Sequence, residues 1–328
     1  MSNPNALRWN GRPGHYEVYY LTLTDAVTGT GFWIRYTLLA PDDGAPSCAL
    51  WFLAMDPAQG VTARKATFPI AQLTSADDPF RFQVGSGTLT DGTADGELED
   101  ATWSLRWSPG RRYEHVRPAL RPLATTVLCL PHGDVGVDGQ IRYAGRTVDL
   151  AGARGAQAHL WGSKHASSWA WARCGDFRTP NAELAADTFV DGVSVRVKRF
   201  GIALGPFTPV VGRIDDDDFA STSGRRVLTN RSSFAPDRWR FEALGDGRKL
   251  IVDVEADRRL LAGVTYHDPD GQPAYCYNTE AATMRLGVYE RADDRSEWRP
   301  AATLEGQGRA HFEYGQHEPL PGLELHLR

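Results

Sequence analysis

His159-Leu160-Trp161-Gly162-Ser163-Lys164-His165-Ala166-Ser167-Ser168-Trp169-Ala170-Trp171-Ala172-Arg173-Cys174-Gly175-Asp176-Phe177 holds three Trp, two His, one Lys and one Arg within nineteen residues. From Trp169 it alternates. Trp169, Trp171 and Arg173 fall on one side, and Ala170, Ala172 and Cys174 on the other. That is the period of a β-strand. Large aromatics with a cation on one face and small residues on the other suit a strand that walls a cavity. The polar run from His159 to Ser168 favours a site over plain aromatic core.

The same period recurs along the chain. Tyr16–Leu23 and Phe32–Leu39 read as a hairpin, and Ala49–Ala54 as the next strand. Phe80–Trp107 divides into at least three strands, and Gly139–Leu150 into two short ones around Ala144-Gly145. Further strands are expected over Val193–Phe200, Trp239–Ala243, Lys249–Ala256, Leu260–His267, Ala274–Glu280, Met284–Arg291 and Ala310–Tyr314. Gly245-Asp246-Gly247 and Asp268-Pro269-Asp270-Gly271 mark turns between them. Ala182–Thr188 is the best helix candidate. The fold class is all-β: two packed antiparallel β-barrels or sandwiches with few short helices. The boundary is placed near residue 185, giving domains 1–185 and 186–328, with the Trp-rich motif in the first.

Composition narrows the function classes. The 328 residues carry a net charge of −5 and no basic stripe, so no nucleic-acid partner is expected. The longest apolar run, Cys48–Met55, is too short to span a membrane. Met1–Asn5 shows neither a charged nor an apolar leader region, and the four Cys show no CxxC spacing. A cytoplasmic protein with free thiols is the expectation.

Four groups of residues invite chemistry. His159 and His165 lack a third ligand in register, so no metal is assigned; Lys164 and His165 instead suit an anionic or phenolic ligand group. In the hairpin after Tyr266, Tyr275 and Tyr277 share a face, and Asn278 and Glu280 share the other, where solvent and pocket are both open. Asp215–Asp218 lacks the spacing of a calcium loop and reads as a solvated loop. His311–Glu318 reads as structural. Dinucleotide, P-loop, serine-elbow and zincin signatures are absent.

Glu17-Val18-Tyr19-Tyr20-Leu21, with Phe32-Trp33-Ile34-Arg35-Tyr36-Thr37, resembles the opening strands of the tocopherol cyclase and carotenoid 1,2-hydratase superfamily. His159-Leu160-Trp161-Gly162 followed by Trp169-Ala170-Trp171-Ala172-Arg173-Cys174 resembles its second signature, an Asn- or Gln-Trp-Gly and a Trp-x-Trp strand. Leu160 departs from that pattern. Lipocalin-like Diels–Alderases resemble the same group. The resemblance implies two tandem lipocalin-like barrels with a greasy pocket within or between them, and no cofactor. It implies an enzyme acting on an apolar isoprenoid or polyketide-like molecule as hydratase, cyclase or pericyclase; the alternative is a non-catalytic carrier of a hydrophobic ligand.

Protonating an alkene needs one acid in a dry, aromatic cavity, and His165, Asp176 and Glu280 are the candidates. His159, Trp161, Lys164, Trp169, Trp171, Arg173, Tyr275, Tyr277 and Asn278 are the expected ligand contacts. In a pericyclic reaction Lys164, Arg173 or Tyr hydroxyls would polarise a carbonyl.

Overall fold

The computed structural model describes residues 3–199, 201–245, 247–293 and 295–328. Met1, Ser2, Phe200 and Asp246, named above in the leader, strand and turn readings, lie outside the described residues. Strand accounts for 64% of the chain and helix for 5%, so the all-β expectation holds.

The first sheet runs from β1 (His15–Thr24) through β2 (Gly31–Ala40), β3 (Ser47–Asp56), β4 (Gly60–Pro69), β5 (Leu73–Asp77), β6 (Phe80–Val84), β7 (Gly87–Thr90), β8 (Thr93–Leu98), β9 (Ala101–Trp107) and β10 (Tyr113–Glu114) to β11 (Thr126–Tyr143) and β12 (Arg146–Gly162). Its order is β4-β3-β2-β1-β12-β11-β9-β8-β7-β6-β5, with β10 on β11. The second sheet begins at β13 (Ser168–Cys174) and continues through β14 (Phe189–Arg199), β15 (Ile202–Phe207), β16 (Val210–Ile214), β17 (Asp217–Ser221), β18 (Arg231–Ala235), β19 (Arg238–Leu244), β20 (Arg248–Glu255), β21 (Ala262–His267), β22 (Pro273–Glu290), β23 (Arg299–Gln316) and β24 (Leu325–Leu327). Its main path is β17-β16-β14-β13-β23-β22-β20-β19-β18.

Alternation decides which side of each strand is core. Tyr19, Leu21 and Leu23 of β1 and Phe32, Ile34 and Tyr36 of β2 fill the first barrel. Ala170, Ala172 and Cys174 of β13 fill the second. The opposite faces meet between the sheets: Val18, Tyr20 and Trp33 from one, Trp169, Trp171 and Tyr266 from the other. The Trp face read from the sequence is therefore the outer wall of the second barrel, pressed against the outer wall of the first.

Several expectations are corrected. Strand pairing changes hands between Gly162 and Ser168, ahead of residue 185, and the Trp-rich strand β13 pairs only with β14 and β23 of the second sheet. The two short strands around Ala144-Gly145 belong to one long hairpin, β11 and β12, of 18 and 17 residues. Register shifts near His132, Val135 and Gly139 bend it, and these interruptions hid its length. Ala182–Thr188 is not helical. Ala182 has φ of 63°, and the segment gives its backbone bonds to Phe177 and Thr179 instead. The α-helix among the described residues is α1 (Gly224–Thr229), capped by Ser223. Asp215 and Asp216 form the turn between β16 and β17, and Arg111 pairs with Asp216 and Asp218. All four cysteines are free and buried.

Candidate active site

A cavity of about 1180 Å³ lies between the sheets. One wall is Val18 and Tyr20 of β1 with Trp33 and Arg35 of β2; the facing wall is Trp169 and Trp171 of β13 with Tyr266 of β21. Strand pairing sets both Trp rings. Trp171 lies opposite Glu313, and Trp169 opposite Gly315. The Trp169 ring occupies the space over Gly315, where a Cβ would sit 2.0 Å from it. Its Nε1 donates to Glu313, which also lines the cavity.

His165 stands at the centre of the polar wall. Its ring stacks on Tyr16 at 4.6 Å and 6°, and on Trp169 and Tyr266 at 5.3 Å each. Nδ1 lies 2.6 Å from Asp268 Oδ1, the same oxygen that accepts from the His165 backbone N–H at 3.0 Å. The turn at Asp268 therefore fixes both the loop and the ring. With Nδ1 bound to a carboxylate, Nε2 is the ring nitrogen left for another partner. Burial pushes the Tyr16 and Tyr266 hydroxyls well above the ordinary phenol range, so both stay protonated.

A second imidazole comes from the other sheet's connections. His115, buried and on the cavity wall, holds Nε2 2.7 Å from Asp191 Oδ1. Asp191 also accepts from Trp171 Nε1 at 2.9 Å. Arg35 is buried on the same wall. Its guanidinium carbon lies 4.5 Å from the Trp33 ring, 5.0 Å from Trp51 and 4.4 Å from Tyr266.

Of the residues expected from the sequence, His165, Lys164, Trp169 and Trp171 line this cavity. Lys164 is half exposed and paired with Asp270. The others lie elsewhere. Asp176 pairs with Arg309 and Arg178 away from the cavity. Glu280 and Asn278 are fully buried, neither solvent-facing nor cavity-lining; both bond His311, whose ring lies 3.8 Å from Trp171. Glu280 packs on Gly31, where a Cβ would come within 2.2 Å. Arg173 crosses between the sheets, donating to the Gly133 and Gly155 carbonyls. Its face is shared with the Trp pair, but carbonyls of β11 and β12 take up its charge before the cavity begins. Tyr277 is buried in the second barrel's core, and Tyr275 packs partly buried against it. His159 is enclosed between Glu17 and the Pro4 carbonyl. Trp161 lies on a separate open cleft of about 410 Å³.

Sequence reasoning missed Arg35, His115, Asp191, Tyr266, Asp268 and Glu313. Arg35 carried a signal: Trp33-x-Arg35 repeats the spacing of Trp171-x-Arg173. His115 and Asp191 carried none, because the fold alone brings them together. Among the described residues no group of His, Cys, Asp and Glu has metal-ligand geometry.

No family model matches the chain. An uncharacterised protein of Mycobacterium tuberculosis is 27% identical over 287 residues, 85% of this chain and 83% of its own. Among solved structures, an AttH-type protein of Nitrosomonas europaea superposes with a TM-score of 0.59 at 14% identity, covering 93% of each chain. CghA in complex with Sch210972 gives 0.56 at 9% identity, covering 92% of this chain and 88% of its own. Kievitone hydratase of Nectria haematococca gives 0.55 at 7% identity, covering 97% and 93%. At these identities the likeness is one of architecture: the chain has the two-sheet, lipocalin-like fold of these structures.

Proposed function

We infer that the chain is a cofactor-independent enzyme that takes an apolar isoprenoid or polyketide-like molecule into the inter-sheet cavity and hydrates or cyclises it. The observation that carries this reading is the His165–Asp268 pair on an aromatic wall. Trp169 and Trp171 offer π-faces to a developing cation, each contributing roughly 0.5–2 kcal/mol. His165 Nε2 supplies or removes the proton, and Asp268 orients the ring and stabilises its charged form. His115, whose Nε2 lies 2.7 Å from Asp191 Oδ1, is the second imidazole on the cavity wall and the second proton carrier of this reading. Asp176 and Glu280 are not part of this proposal, since neither reaches the cavity. The fold neighbours that bear the name of a hydratase or hold a small molecule support the same reading. The resemblance to the tocopherol cyclase and carotenoid hydratase superfamily agrees with it.

The test is a comparison of the wild type with His165→Gln and Asp268→Asn, each incubated with a bacterial solvent extract and followed by mass spectrometry. Wild type should deplete one apolar compound and yield an isomer or its hydrate. The variants should retain that compound bound and unchanged. Binding by all three without conversion would make the protein a carrier.

A further inference from the structure

We propose that Arg35 anchors an anionic oxygen of the ligand, so that the cavity selects amphiphilic acids over neutral molecules of the same shape. The proposal rests on the cavity being a ligand site, and it adds the chemical class of what enters. Arg35 is 5% exposed and lines the cavity. Its Nε and Nη1 are buried with no hydrogen-bond partner. The acids in its neighbourhood are Glu313, engaged by Trp169 Nε1, and Asp268, engaged by the His165 ring.

A guanidinium stays charged in a protein, and burying a charge without a counter-ion is strongly unfavourable. Three ring faces offset part of that cost. They hold the cation without meeting its Nε and Nη1 donors, which have no acceptor among the described residues. Contrast Arg173, equally buried, which spends its donors on two carbonyls beside Asp134. The planar fork of Arg35 matches a carboxylate, a sulfonate or a delocalised enolate. The apolar walls around it match a hydrocarbon body. Other cations at the cavity are less suited. Lys164 is paired with Asp270, Arg196 covers the Phe234 ring at 4.1 Å, and Lys198 is exposed at the rim.

Two fluorescent probes share one body and differ in charge: 1-anilinonaphthalene-8-sulfonate and neutral N-phenyl-1-naphthylamine. Wild type should bind the sulfonate at least about tenfold more tightly. Arg35→Met should remove that preference and leave the neutral probe's affinity unchanged. Arg35→Gln, which keeps a polar side chain without the charge, should do the same and serves if the Met variant does not fold by circular dichroism. Arg196→Met should keep the preference. Equal wild-type affinities, or a preference that survives both Arg35 variants, would overturn the anchor while leaving the cavity as a ligand site. Failure to bind either probe would overturn both readings.

Discussion

Replacing Glu17 by Gln should cost about 3 kcal/mol at pH 6, and the loss should shrink as the pH falls. Glu17 is fully buried on β1, and its carboxylate is surrounded by five hydrogen-bonding groups. Oε1 lies 2.8 Å from His159 Nε2 and accepts from the Tyr19 hydroxyl at 2.9 Å; Oε2 lies 2.9 Å from His15 Nε2 and accepts from the Trp9 amide at 2.9 Å. The Arg8 amide donates to both oxygens. Burial opposes ionisation here, but the bonds from His15 and His159 outweigh it and lower the pKa from 4.5 to about 2. That lowering is linked to about 3 kcal/mol of folding free energy. Because the folded value lies below the unfolded one, the contribution is complete above about pH 4.5 and is lost as pH falls toward 2. Gln also turns a donor toward Trp9 N–H and His15, which adds a pH-independent part. Urea unfolding of both proteins, followed by tryptophan fluorescence, measures the gap. It should narrow by about 2 kcal/mol between pH 6 and pH 3. A gap that stays constant across that range would refute the carboxylate's role and leave only a packing effect.

Arg173→Met should destabilise the protein by about 2–4 kcal/mol, since it strands two buried carbonyls while Asp134 keeps Arg213, and should leave binding of a neutral apolar probe intact; denaturant midpoints and probe titration measure both. Trp171→Ala should cost about 3–5 kcal/mol in the same unfolding assay, because the ring touches Tyr20 and His311 and its N–H bonds Asp191. The thiols should be inert to Ellman's reagent in the native state and give four equivalents after denaturation; burial pushes Cys129 and Cys174 up to about 12.

The β architecture was legible because period-two alternation is a local property. Tyr16–Leu23 read as a strand, and Trp169–Arg173 showed which residues would share a face, a separation the two core faces keep. Alternation does not say whether the larger face points into a barrel or between two barrels. That is why the Trp strand was placed in the first half, although its partners β14 and β23 lie far down the chain. The same limit governs the site. His165 was visible from its polar, aromatic surroundings, but its orienting carboxylate at Asp268 looked like an ordinary turn residue. One residue serves both ends here: the Asp268 backbone closes the turn and its side chain orients the His165 ring. Asn278 and Glu280 were conspicuous as polar strand residues, and they are indeed buried. Their partner is His311, not a ligand, a pairing set by the β22–β23 register that no local pattern reports.

The central claim is that the space between the two sheets holds a ligand, and filling that space tests it most directly. Val195 lines the cavity from β14 and is only partly buried, so Val195→Trp should place an indole in the void without disturbing either barrel core. N-phenyl-1-naphthylamine should bind the wild type saturably at one site per chain and bind Val195→Trp more weakly, with its emission fed by energy transfer from the new indole and the melting temperature of the variant unchanged. Equal affinity with no energy transfer from the new indole would place the ligand elsewhere and contradict the account.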